Sequence, residues 1–100
     1  MRPLACDLGA FEPAERVRYA ALRADLGARR LGVRDAADGY VFTYSGDAET
    51  IVKLAEFVTL ERRCCPFFDF TLEVAAGLGQ VRLTIGGGPE VKEFLRTQAG

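Results

Sequence analysis

One hundred residues, 49% of them hydrophobic, are enough to build one packed core, and a net charge of −1 supplies no global field that would steer the chain toward nucleic acid. No apolar run is long enough to cross a bilayer, and the start, Met1-Arg2-Pro3-Leu4, lacks the apolar stretch of a secretory leader. Three cysteines, two of them adjacent, do not make the even, spaced set of a secreted disulfide scaffold, so the expectation is a cytoplasmic protein with reduced thiols; the absence of histidine removes His-based triads and His-ligated metal sites.

Residues 1–11 read as an N-terminal arm carrying Cys6. Glu12-Pro13-Ala14-Glu15 opens a helix over 12–27, because proline fits the first helical position and early carboxylates suit the positive end of the helix dipole. Val17, Tyr19, Ala21, Leu22 and Leu26 give it an apolar face, and Gly27 is a fitting stop. Leu31 to Arg34 and Tyr40 to Tyr44 read as strands joined by a turn at Asp38-Gly39. Asp47 suits the N-cap of a second helix that runs to about Cys65, where Pro66 forbids its continuation. Phe68, Phe70, Leu72 and Val74 alternate with polar residues as a half-buried strand. Gly77 to Gly79 turns it back, and Val81, Leu83 and Ile85 form its partner. Gly86-Gly87-Gly88-Pro89 then opens a last helix with Val91, Phe94 and Leu95 inward; without the Lys-Ser/Thr of a phosphate-binding loop it reads as a plain strand-to-helix turn.

The order αββαββα contains a repeat. Gly39-Tyr40-Val41-Phe42-Thr43-Tyr44-Ser45-Gly46 matches Gly79-Gln80-Val81-Arg82-Leu83-Thr84-Ile85-Gly86 at an offset of roughly 40 residues. Two ββα units, 30–65 and 67–98, predict an α+β fold with one four-stranded antiparallel sheet covered by helices on one face, related by an approximate two-fold. Phe42, Phe70, Leu72, Leu83 and Ile85 should be buried, mostly under the second helix. No linker divides the chain, so a single domain over 1–100 is expected, with sheet edges that suit a homodimer. The doublets Arg29-Arg30 and Arg62-Arg63 read as solvated helix ends, not as a nucleic-acid surface.

The chemistry concentrates in Leu60-Glu61-Arg62-Arg63-Cys64-Cys65-Pro66-Phe67-Phe68. On a helical wheel Ile51, Leu54, Phe57 and Val58 mark the apolar face of the second helix. Glu61 falls near its middle, flanked by Cys64 and Cys65. A carboxylate there needs a partner, either a cysteine sulfur or an arginine, unless it lies beyond the sheet in water. A lone cysteine is usually a small core hydrophobe, but helical neighbours differ by about 100°, so two adjacent ones rarely enter the same core. Soft thiolates at a helix end suit a soft metal ion such as Hg(II), As(III) or Cu(I): Cys64 and Cys65 as ligands, Cys6 as a third donated by the arm, Glu61 as proton acceptor. A thiol redox or transferase enzyme using Cys64 or Cys65 is the alternative, although Cys64-Cys65 is not a Cys-x-x-Cys motif and a bond between adjacent residues closes a strained ring. A dimeric interaction module built on Phe67, Phe68 and Phe70, with cysteines that only pack, is the third reading.

Ala5-Cys6, Pro13-Ala14-Glu15-Arg16 and Glu61-Arg62-Arg63-Cys64-Cys65-Pro66-Phe67-Phe68, with a closing segment from Gly88 to Leu95, resemble a group of small bacterial proteins of similar length that share a Glu-Arg-x-Cys-Cys-Pro-Phe core. The resemblance implies a loose connection with heavy-metal resistance and no defined activity. Glu12 stands where such helices often carry a threonine cap.

Overall fold

The structure is a computed structural model and describes residues 6–99; the first five residues of the expected arm lie outside it. A short 3-10 helix, Leu8–Ala10, precedes α1 (Pro13–Arg29), β1 (Arg30–Ala36), β2 (Gly39–Tyr44), α2 (Ala48–Cys64), β3 (Asp69–Val74), β4 (Val81–Gly86) and α3 (Pro89–Ala99). The expected order αββαββα is therefore the observed one. The four strands form one antiparallel sheet in the order β1-β2-β4-β3, so the two hairpins join through their second strands.

Local chemistry explains the element ends. Glu12 caps α1 through a reciprocal box with Glu15, whose side chain accepts from the Glu12 amide at 2.9 Å. Asp47 caps α2 by accepting from the Thr50 amide at 3.0 Å. Gly27 does not stop α1, which runs two residues further to Arg29. Arg29 bonds Asp25 one turn back and Thr50 of α2, so side-chain pairing carries the helix through the glycine.

The covered face of the sheet carries Phe42, Tyr44, Val81, Leu83 and Ile85, and these join Leu22, Leu26, Leu54, Phe57, Val91 and Leu95 in one core. Phe70 and Leu72 are only half-buried, because β3 is an edge strand. α3 is the helix in close contact with β2 and β4, whereas α2 packs most closely on α1, so the covered sheet residues are not buried mostly under α2. Val17 and Ala21, expected on the inner face of α1, are exposed; the buried stripe is Tyr19, Leu22 and Leu26. Phe11, just before α1, is 3% exposed and packs on Tyr19 with ring centroids 5.1 Å apart.

The repeat is visible in the glycines and not in the side chains between them. Gly39 pairs with Gly86, where an added Cβ at Gly39 would lie 1.9 Å from the Ile85 carbonyl oxygen. At the other end of the same ladder, a Cβ at Gly46 would lie 2.0 Å from the Gly79 carbonyl oxygen. The matched octets thus run against each other with close backbone approaches at both ends. Phe42, however, pairs with Leu83 on the covered face, whereas its match Arg82 pairs with Thr43 on the open one. Moving the match by one residue, so that Tyr40, Phe42 and Tyr44 fall on Val81, Leu83 and Ile85, restores the faces.

Candidate thiol and metal site

The site forms where the start of the described chain meets the end of α2. The Asp7 amide donates to the Cys64 carbonyl at 2.8 Å, and the Cys65 amide donates to the Glu61 carbonyl at 2.7 Å. Cys65 is the C-cap, with φ −125° and ψ 76°, so it has left helical geometry. This runs against the expectation that two adjacent cysteines rarely enter the same core. The 100° step holds only inside a helix, and Cys64 and Cys65 are both 0% exposed.

The three sulfurs and the Glu61 carboxylate lie within 4.8 Å of one another, a group that could hold a metal ion. Cys6 joins it, but not as a free arm. Cys6 and Cys65 are joined in a disulfide with Cα atoms 4.8 Å apart, and Cys64 is the free thiol. The expected set of three reduced thiols is corrected to one disulfide and one thiol. The bond does not join the adjacent pair. The 3-10 turn, closed by the Asp7 side chain accepting from the Gly9 amide, delivers Cys6 to Cys65 instead.

Glu61 is 7% exposed and does find partners. The Tyr19 hydroxyl donates to its Oε1 at 2.9 Å, and Cys65 Sγ approaches the same oxygen at 3.2 Å. In the disulfide that sulfur carries no proton, so the contact becomes a hydrogen bond only after reduction. Burial raises the Glu61 pKa, partly opposed by the Tyr19 hydrogen bond and by Arg23. Burial followed by the neighbouring Glu61 raises the Cys64 thiol, whose Sγ is 3.6 Å from Cys65 Sγ. Both groups are thereby held toward their neutral forms. Arg63 takes no part: it bonds Glu15 and the Ala10 carbonyl, and it covers the Phe11 ring on the outer side.

A cavity of about 270 Å³ opens beside this cluster. It runs under α1, past Tyr19, Arg23, Leu26 and Arg30, and its floor is the covered face of the sheet. Cys6 and Glu61 are at its thiol end.

No family model, curated protein or solved structure matches the chain. Function must be read from the site itself.

Tyr19 is the functional residue that sequence reasoning missed. It was assigned to the apolar face alone, yet a tyrosine on a buried stripe brings a hydroxyl that needs a partner, as a carboxylate on the facing stripe does. That double demand was the available signal.

Proposed function

We propose that this protein binds a soft, thiophilic metal ion through Cys6, Cys64 and Cys65, with Glu61 as proton acceptor, and serves in its sequestration, transfer or detoxification. The observation that supports this reading most is the convergence of three sulfurs and one carboxylate within 4.8 Å. Thiolates select soft ions, and three of them suit As(III), while two suit a linear Hg(II) site. The motif resemblance to proteins connected with heavy-metal resistance points the same way.

The disulfide is the closed form of this site. An external thiol reductant supplies two electrons and two protons, converting Cys6–Cys65 to two thiols and itself becoming a disulfide. Arsenous acid then exchanges its three hydroxyls for the sulfurs of three thiols, whose protons leave with the hydroxyls as three waters. Hg(II) displaces two protons, one of which the Glu61 carboxylate can take. Metal binding drives thiol ionisation by its own free energy, so the raised Cys64 pKa is no obstacle. A reducing compartment such as the cytoplasm would keep the site open.

The test is titration of reduced and oxidised protein with Hg(II) and with As(III), read by thiolate-to-metal absorption. Reduced wild type should take up one ion, the oxidised protein none, and Cys6→Ser should lose As(III) while retaining Hg(II). Absence of the band in reduced wild type, or its persistence in Cys64→Ser/Cys65→Ser, overturns the reading. The alternative, a thiol–disulfide oxidoreductase, draws on the third thiol lying 3.6 Å from the disulfide, and it would then lead.

A further inference from the structure

The cavity has a second chemical end, away from the thiols. Tyr19, Arg23 and Leu26 recur along one stripe of α1 and Arg30 follows directly after its end, so the lining spans roughly 16 Å along the helix. Tyr19 marks the thiol end. Arg30 marks the other, at the point where α1 becomes β1, and there it is the direct sheet partner of Tyr44.

Two observations at that end point to a ligand. Tyr44 is 5% exposed and lines the cavity, yet among the described residues nothing hydrogen-bonds its hydroxyl. Among the described residues no fully buried side-chain polar atom lacks a partner, so this hydroxyl keeps some accessible surface on the cavity that Tyr44 lines and is not sealed in the core. Arg30 lines the cavity too and makes no ion pair among the described residues, as Arg23 nearer the thiol end makes none, whereas its neighbour Arg29 is tied to Asp25, Asp47 and Glu49. Its guanidinium lies over Phe42, 5.7 Å from the ring centroid, at the edge of the apolar floor. A buried hydroxyl and a cation without a partner, side by side at the end of an aromatic trough, match a small organic anion with an apolar body.

We infer that the cavity is a binding site for a small amphipathic carboxylate: the carboxylate on Arg30 and the Tyr44 hydroxyl, the apolar body along Phe42, Phe57 and Leu83. About 270 Å³ takes one ring with a short chain and excludes anything much larger. The site stands whether or not the thiols take a metal, because the anion end lies on β1 and β2 and the thiols lie after α2.

The probe is 4-phenylbutyrate, titrated into the oxidised protein by calorimetry, with 4-phenylbutanol as the neutral control. Wild type should bind the acid, with intermolecular proton contacts from its ring to the Leu83 methyls. Arg30→Gln and Tyr44→Phe should each weaken binding by roughly tenfold, the effect of losing a hydrogen bond to a charged group, and the alcohol should bind as weakly as the Arg30 variant. Tyr44→Phe keeps the ring in the core, so its circular dichroism and unfolding midpoint certify the fold. Equal binding of acid and alcohol, no loss in either folded variant, or no ring contacts to Leu83 overturns the assignment. Metal titrations are unaffected by any of these outcomes.

Discussion

Tyr19 and Glu61 stabilise each other across the α1–α2 interface, and each would be an unpaired buried polar group without the other. Tyr19→Phe keeps the ring against Phe11 and Phe57 but removes the donor. It should cost about 1–3 kcal/mol, the usual penalty for stranding a buried acceptor, measured by urea unfolding of the oxidised protein. A loss well under that range would mean that solvent entering from the neighbouring cavity replaces the Tyr19 hydroxyl at Glu61. The importance of Glu61 was legible in the sequence because a carboxylate in the middle of an apolar stripe has to be explained. Its partner was not, since the Tyr19 hydroxyl comes from another helix, 42 residues away, and only packing brings the two stripes together.

At the scale of elements, α2 depends on its first turn. Asp47 accepts from the Ser45 hydroxyl, the Thr50 hydroxyl and the Thr50 amide, and these bonds lower its pKa from 3.8 to about 2. A depressed carboxyl stabilises the fold fully above its unfolded pKa and loses that contribution as pH falls through the folded one. Asp47→Asn keeps a capping oxygen without the charge. The stability gap between wild type and this variant should therefore be full at neutral pH, shrink below 3.8 and close near 2, as read by thermal unfolding across that range. Helix starts of this kind are written locally and were readable in advance, as were the strands with clean alternation. The end of α1 was not, because Arg29 carries the helix past Gly27 through contacts to α2. The faces of the repeat were not either: glycine spacing fixes where backbones meet, whereas the pleat decides which way Phe42 and Arg82 point.

For the whole molecule, the Cys6–Cys65 bond spans a sequence separation of 59 and ties the start of the described chain to its middle. Closing a loop of that length restricts the unfolded chain by about 4 kcal/mol in the chain-entropy account. Cys6→Ser, or reduction of wild type, should lower the unfolding free energy by about 2–4 kcal/mol in urea. Both treatments should give the same loss, since both open the same loop and leave Cys65 unpaired; no loss in Cys6→Ser would mean that loop closure is not what stabilises the oxidised protein. The α+β architecture came through in the sequence because the helices and the strands β2, β3 and β4 carry their own periods and glycine turns separate them. The disulfide did not, because adjacency drew attention to Cys64 and Cys65 as a pair, and the turn that brings Cys6 to them is made by Asp7 and Gly9, a short-range polar bond with no hydrophobic pattern.

Cys64 gives the oxidised protein a reporter of its own opening. It is the one thiol left when Cys6 and Cys65 are joined, and it is 0% exposed. An alkylating reagent in solution can reach it only when the packing around the end of α2 opens. The rate of its modification therefore counts those excursions, in the way that amide exchange counts the breathing of a backbone hydrogen bond. A single residue thus reads the frequency of local opening at the site where the chemistry would occur, with no label added and no side chain changed.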